Sequence, residues 1–154
     1  MMSVEGERKD QNVTHVLLAD DDEEDFFFFS IAISEIPINV LLTRAEDGEK
    51  LMRLLEEKIP DILFLDLLMP CMKGHDCLHS IRSDRRYDQL PIIVYTSMDD
   101  IANIEFCFRE GSNLYAVKPS NVDDLKSMPD RILTIDWKKI LYFPVFSKFV
   151  IRPQ

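Results

Sequence analysis

Short apolar runs alternate with longer amphipathic segments five times along this chain, and this rhythm restricts the possible folds more than any other feature. The apolar runs are continuous rather than alternating with polar residues, which is typical of strands covered on both faces. We therefore predict an α/β fold with a doubly wound, five-stranded parallel sheet flanked by five helices. The runs that we interpret as strands are 16–19, 38–42, 62–65, 92–95 and 114–117.

The length of the chain and the character of its ends indicate one domain with short flanking segments. A chain of 154 residues suits a single domain, which we expect to span 13–137. Residues 1–12 are polar without periodicity and are predicted to form a flexible N-terminal arm. Residues 138–154 form an apolar C-terminal extension with four basic residues and no acidic residue. Because this extension is too apolar for a free tail, we expect it to dock on its own domain or on a second copy.

The charge and the cysteine content exclude several classes of function. The chain has 28 acidic and 18 basic residues, a net charge of −10, so its surface should repel the phosphate backbone of nucleic acids. Three cysteines without a regular spacing favour reduced thiols in the cytoplasm. No apolar stretch reaches the ~18 residues of a membrane helix, and no secretory signal is evident. We therefore expect a cytoplasmic protein that binds neither nucleic acid nor a membrane.

Polar side chains follow four of the predicted strands, at the point where each strand ends. They are Asp20 and Asp21 after the first strand, Asp66 after the third, Thr96 after the fourth and Lys118 after the fifth. Since the carboxyl ends of parallel strands meet at one edge of the sheet, we expect these side chains to share an acidic pocket. Clustered carboxylates must take up protons or bind a cation, and oxygen ligands suit Mg²⁺. A cation, a lysine and a nucleophilic carboxylate together are typical of phosphoryl transfer.

Two of the predicted helices contain residues that need an explanation. The acidic run continues through residues 22–25 into the first helix, where the helix dipole favours negative charge. We interpret this run as a solvated helix start rather than as part of the acidic pocket. Pro129 lies inside the last predicted helix, and either a kink or a second helix start capped by Ser127 would accommodate it.

Several motifs stand in register with this predicted pocket. An acidic pair follows the first strand, a Met-Pro dipeptide and a glycine follow the central aspartate, and an aromatic residue precedes a Lys-Pro pair. In these motifs the chain resembles the receiver domains of two-component response regulators, which have a flavodoxin-like fold. The resemblance covers about 13–135, and the stretch 83–90 makes it most similar to stand-alone, phytochrome-associated regulators. The matching residues are Asp20–Asp21, Asp66, Met69–Pro70, Gly74, Thr96, Tyr115 and Lys118–Pro119.

The resemblance implies a chemical role for each residue of the pocket. Asp66 would accept a phosphoryl group from a histidine kinase or a histidine phosphotransfer protein. The metal ligands for Mg²⁺ would be the carboxylates of Asp21 and Asp66 and the backbone carbonyl of Leu68, and Asp20 would reach the ion directly or through a water molecule. Lys118 would pair with a phosphoryl oxygen.

The resemblance also implies a conformational switch. Thr96 would move its hydroxyl toward the phosphoryl group, and Tyr115 would move inward behind it. The peptide bond between Lys118 and Pro119 is expected to be cis, as is typical of the family. The chain would then act as a single-domain response regulator, a phosphorylation switch or relay that catalyses only its own phosphorylation and dephosphorylation.

Two other classes of protein compete with this interpretation. A phosphatase with an aspartyl-phosphate intermediate would need a second acid two residues after Asp66, where Leu68 stands. An interaction module that has lost the chemistry would not need all five pocket side chains, and all five are present. The face around Tyr115 and the C-terminal extension are candidate surfaces for a homodimer. We also expect a downstream protein, to which the domain passes the phosphoryl group or which it binds when modified.

Overall fold

The computed structural model describes residues 13–137 and 143–153 of the chain. Its strands are β1 (Val13–Ala19), β2 (Asn39–Ala45), β3 (Ile62–Leu65), β4 (Ile92–Thr96), β5 (Leu114–Val117) and β6 (Val150–Ile151). They form one parallel sheet in the order β2-β1-β3-β4-β5-β6. The strand order reverses direction between β1 and β3, and in open α/β sheets ligands bind in the crevice at such a reversal.

Helices cover both faces of this sheet. In the described residues they are α1 (Glu23–Ser34), α2 (Gly48–Glu57), α3 (Gly74–Arg82), α4 (Ile101–Glu110) and α5 (Val122–Leu133). Leu17 and Ala19 of β1 pack into the apolar core under α2, α3 and α4. Val16 and Leu18 pack into a second core under α1 and α5. The predicted doubly wound α/β fold is therefore confirmed, because alternate residues of a central strand serve two cores.

Local sequence signals set most of the helix boundaries. The residues whose side chains accept hydrogen bonds from the first turn of a helix include Asp22, Asp47, Asp100 and Asn121. Gly111 ends α4 with a φ of 91°, a conformation that glycine adopts without strain. Helix α5 runs without interruption through Pro129, which excludes a second helix start at Ser127. No peptide bond of the described residues is cis, so the expected cis bond before Pro119 is wrong.

The sixth strand corrects the predicted number of strands. Val150 and Ile151 of β6 pair in parallel with Tyr115 and Ala116 of β5. The sequence did not indicate this strand because two residues are too few for a recognisable pattern, and the pairing depends on the tertiary fold. Of the two docking sites expected for the C-terminal extension, residues 143–153 occupy the one on their own domain.

Aromatic packing and an ion pair hold the C-terminal extension in place. Phe149 is fully buried, with its ring centroid 5.2 Å from that of Phe108 and 6.2 Å from that of Tyr115. Arg152 reaches the β4–α4 loop, where its guanidinium lies 3.0 Å from the carboxylate of Asp99. The extension therefore covers one side of β5 and contacts the loop that follows β4.

Some predictions concern residues that the structure does not describe. The flexible N-terminal arm at 1–12 lies outside the described residues, as do 138–142 of the C-terminal extension. The flexibility of the arm therefore stays a prediction. Among the helices of 13–137 and 143–153, none combines the length and the apolar character needed to cross a membrane.

Candidate functional site

Lys118 lies at the centre of the acidic pocket. Its backbone N–H donates to the carbonyl of Thr96 at 2.8 Å, which joins the ends of β4 and β5. Its ammonium donates to Oδ2 of Asp20 at 2.7 Å, of Asp25 at 2.8 Å and of Asp66 at 3.0 Å. Since the side chain of Lys118 is only 8% exposed, these ion pairs are poorly screened by water and the charges attract strongly.

The acidic pair after β1 divides between the interior and the surface. Asp20 is fully buried, and its backbone N–H donates to the carbonyl of Ala45 at 2.9 Å at the end of β2. Its Oδ1 accepts from the backbone N–H of Asp22 at 2.9 Å, where the chain turns into α1. Asp21 is exposed, and carboxylate oxygens of Asp20, Asp21 and Asp66 all lie within 4.8 Å of one another.

Asp66 is held at the end of β3 by backbone contacts on both sides. It is 5% exposed, and its backbone N–H donates to the carbonyl of Ala19 at 2.9 Å. Its Oδ1 accepts from the backbone N–H of Leu68 at 3.2 Å. Gly74 begins α3 against this segment, and a Cβ at Gly74 would lie 2.3 Å from the carbonyl oxygen of Asp66. Position 74 therefore requires glycine, because any side chain there would displace the backbone of Asp66.

Thr96 and Tyr115 lie beside the pocket and are both fully buried. The hydroxyl of Thr96 lies 3.5 Å from the backbone nitrogen of Met98, and the hydroxyl of Tyr115 donates to the carbonyl of Met98 at 2.7 Å. The ring of Tyr115 therefore lies inside the protein. Phe149 of the C-terminal extension covers this ring, and sequence reasoning did not anticipate that contact.

Asp25 is the residue of the site that sequence reasoning set aside. Asp22 caps α1 and Glu24 is exposed, as expected of a solvated helix start. Asp25 instead turns its carboxylate to Lys118 and is 26% exposed. One sequence signal could have identified Asp25. It lies one helical turn after the capping residue Asp22, and this spacing places two side chains on the same side of a helix.

Burial and mutual repulsion set the protonation of the pocket. Burial raises the pKa of Asp20 from 3.8 to about 6, and the nearby charge of Asp66 adds to this effect, although the Lys118 ammonium opposes it. Burial alone would lower the pKa of Lys118, but the carboxylates of Asp66 and Asp20 outweigh it and raise this pKa above its usual range. Lys118 therefore stays protonated, and a single ammonium faces several carboxylates, which favours the uptake of a further cation.

The side chains of the pocket suit a divalent metal ion. A groove of about 670 Å³ opens onto the pocket, and its lining includes Asp21, Asp66, Leu68 and Lys118. The carboxylate oxygens of Asp20, Asp21 and Asp66 are close enough to share one ion, and hard oxygen ligands are those that Mg²⁺ and related ions prefer. The open groove leaves room for the water molecules that complete the coordination of such an ion.

A family comparison identifies the chain. Residues 16–129 match the model of the response regulator receiver domain. The chain belongs to this family. Curated relatives include the probable transcriptional regulator ycf27 of Guillardia theta, 31% identical over 90 residues, which are 58% of this chain and 34% of that protein. The transcriptional regulator NtrC of Klebsiella pneumoniae is 30% identical over 92 residues, which are 60% of this chain and 19% of that protein.

Solved receiver structures share the fold. The Mn²⁺-bound form of response regulator Rcp1 superposes with a TM-score of 0.77 at 22% identity, covering 86% of this chain and 99% of that one. The phosphorylated cyanobacterial phytochrome response regulator RcpA gives a TM-score of 0.74 at 22% identity, covering 77% of this chain and 90% of that one. The receiver domain of the Francisella response regulator 1452 gives a TM-score of 0.64 at 26% identity, covering 82% of this chain and 98% of that one.

Proposed function

We propose that this receiver domain is a phosphorylation switch or relay of two-component signal transduction, with Asp66 as the phosphoacceptor. One observation carries the proposal. The Asp66 carboxylate lies 3.0 Å from the ammonium of Lys118 and within 4.8 Å of the carboxylates of Asp20 and Asp21, at the end of an open groove. This arrangement offers a nucleophile, a fixed cation and a site for a mobile cation around one incoming phosphoryl group.

The proposed reaction transfers a phosphoryl group from a phosphohistidine of a histidine kinase or phosphotransfer protein. A carboxylate oxygen of Asp66 forms a bond to phosphorus while the P–N bond to the donor imidazole breaks, and the imidazole keeps the electron pair. Asp20, Asp21 and Asp66, with the backbone carbonyl of Leu68, would hold Mg²⁺, which supplies charge neutralisation for the phosphoryl oxygens when bound. Lys118 donates a hydrogen bond to one of these oxygens.

The proposed readout passes through the loop after β4. Thr96 and Tyr115 both contact the backbone of Met98, so a movement of the Thr96 hydroxyl toward the phosphoryl group would displace the acceptor of the Tyr115 hydrogen bond. Arg152 of the C-terminal extension pairs with Asp99 in the same loop. The face around β5 would thereby repack when one charge changes at Asp66.

The same geometry argues against a turnover enzyme. Leu68 occupies the position where a phosphatase with an aspartyl-phosphate intermediate needs a second acid, and this residue is 54% exposed and lines the groove. We therefore propose that the protein catalyses only its own phosphorylation and dephosphorylation. The partner kinase, a homodimer, a stand-alone role and a cytoplasmic location stay predictions.

Incubation with Mg²⁺ and acetyl phosphate, followed by intact-mass measurement, tests the proposal. We expect the wild type to gain the mass of one phosphoryl group, and Asp66→Asn to gain none. Asp76→Asn, which removes an aspartate from the exterior of α3, serves as the control and should gain the same mass as the wild type. Continuous release of phosphate from monoesters would support a phosphatase instead, and absence of any adduct would support an inert module.

A further inference from the structure

Asp25 takes up one of the three hydrogen-bond donors of the pocket lysine. An ammonium has three N–H groups, and those of Lys118 are used by Asp20, Asp66 and Asp25 at 2.7, 3.0 and 2.8 Å. A phosphoryl oxygen on Asp66 therefore meets an ammonium without a free donor. One of the existing bonds must break or be shared before Lys118 can serve the phosphoryl group.

Asp25 differs from the other carboxylates around Lys118. Asp20 and Asp66 follow strands and belong to the group of oxygens that could hold a metal ion, whereas Asp25 stands on α1 outside that group. Its backbone N–H donates to the capping carboxylate of Asp22 at 3.1 Å, so its position is fixed by the helix start. Asp25 thus contacts the site through Lys118 and is one of the residues that line the groove.

We propose that Asp25 is a positioning residue that holds the Lys118 ammonium toward α1 and thereby limits phosphorylation of Asp66. The inference rests on the proposed function. Phosphorylation replaces one carboxylate charge at Asp66 by a phosphoryl group that carries more negative charge. Asp25 competes with the phosphoryl group for the ammonium, because both would accept hydrogen bonds from one partly buried cation. Asp25 also repels the phosphoryl group, because both carry negative charge.

The sign of the effect separates this role from a purely structural one. If Asp25 only anchored Lys118 in a productive orientation, removal of its charge would weaken phosphorylation. If Asp25 competes, Asp25→Asn removes the competing negative charge and leaves only a neutral amide oxygen, a weaker acceptor for the ammonium, so phosphorylation becomes stronger while the shape of the side chain is kept. Asp20 and Asp66 continue to hold Lys118 in the variant.

The test compares Asp25→Asn with Glu24→Gln, which removes the same charge from the exposed side of the same helical turn. Two quantities are measured with Mg²⁺ present: the rate constant of phosphorylation by acetyl phosphate, from intact mass, and the dissociation constant of beryllofluoride, a phosphoryl mimic. We expect Asp25→Asn to be phosphorylated about tenfold faster than the wild type and to bind beryllofluoride about tenfold more tightly. Glu24→Gln should stay within about twofold of the wild type, because surface charges are screened.

Further variants decide whether Asp25 acts through Lys118. In a Lys118→Gln background, the gain in phosphorylation rate and in beryllofluoride affinity from Asp25→Asn should be smaller by at least about threefold, because the effects of coupled residues are not additive. Asp25→Glu keeps the charge and should remain slower than Asp25→Asn. The inference is overturned if Asp25→Asn is phosphorylated at the same rate as Glu24→Gln or more slowly than the wild type. It is also overturned if the gain in rate from Asp25→Asn is as large in the Lys118→Gln background as in the wild type. Each of these results would leave phosphorylation of Asp66 itself intact. A wild type that takes no phosphoryl group would instead refute the proposed function, and this inference with it.

Discussion

The buried carboxylate of Asp20 should make the folded protein less stable at neutral pH than an otherwise identical protein with an uncharged side chain there. Burial raises the pKa of Asp20 from 3.8 to about 6, so between these values the folded state binds more protons than the unfolded chain. Stability therefore falls as the pH rises through this window, and the full cost is present above about pH 6. We predict that Asp20→Asn stabilises the metal-free protein at pH 8.

The size of this effect follows from the rise in pKa. A rise of about 2 in pKa corresponds to about 3 kcal/mol at roughly 1.4 kcal/mol per pH unit. In a chain of this length about 3 kcal/mol raises the melting temperature by roughly 6–12 °C. The substitution leaves Lys118 paired with Asp25 and Asp66, and the amide oxygen can still accept from the backbone N–H of Asp22.

Thermal and urea unfolding of both proteins at pH 4, 6 and 8, with a chelator present, measures the prediction. The difference in free energy of unfolding should be small near pH 4 and should grow to its full value by pH 8. Asp21→Asn is the matched control, because Asp21 is the exposed neighbour and its charge is already solvated. Addition of Mg²⁺ should stabilise the wild type and reduce the difference in free energy of unfolding between the two proteins, because the proposed metal site exists only in the folded state and needs the ionised Asp20.

Three results would refute this reasoning. Asp20→Asn could be no more stable than the wild type at pH 8, which would mean that the Lys118 ammonium compensates fully for the burial of the charge. The gap could be as large at pH 4 as at pH 8, which would point to packing rather than ionisation. Asp21→Asn could stabilise the protein equally, and burial of Asp20 would then not be the cause.

Two further predictions concern the fold around the site. Phe149→Ala should lower the free energy of unfolding by about 3–5 kcal/mol, because the ring is fully buried. Phe146→Ala should lower it by less than about 1 kcal/mol, because Phe146 is 41% exposed. Equal losses of stability for the two variants in urea unfolding would contradict the docking of the extension. Gly74→Ala should cost about 1–3 kcal/mol and slow phosphorylation of Asp66, because its Cβ would lie 2.3 Å from the Asp66 carbonyl oxygen. Unchanged stability and an unchanged acetyl phosphate reaction would show that the loop relaxes freely.

The approach of the distant pocket residues to one another was predictable because it depends on a general property of parallel sheets. Asp20, Asp66 and Lys118 each follow an apolar run, and the ends of parallel strands lie side by side at one edge. The sequence positions alone therefore indicate which side chains meet. The continuous apolar runs likewise indicate burial on both faces, and β1 indeed contributes to two cores.

The position of β6 and the role of Asp25 were not predictable in the same way. Val150 and Ile151 become a strand only because β5 offers an unpaired edge and Phe149 fills a space beside Tyr115. Asp25 belongs to an acidic run that favours a solvated helix start, and only the direction of α1 against the sheet turns this one carboxylate to Lys118.

The sequence by itself determined the α/β rhythm, the polar residue at each strand end and the excess of negative charge, because these depend on periodicity and composition. Only the tertiary structure decided how the Lys118 ammonium is shared among three carboxylates and which surface the C-terminal extension covers. The physical reason is that hydrogen bonds and packing act over a few ångströms. Such distances are fixed by how the elements are oriented in space, and separation along the chain does not encode that orientation.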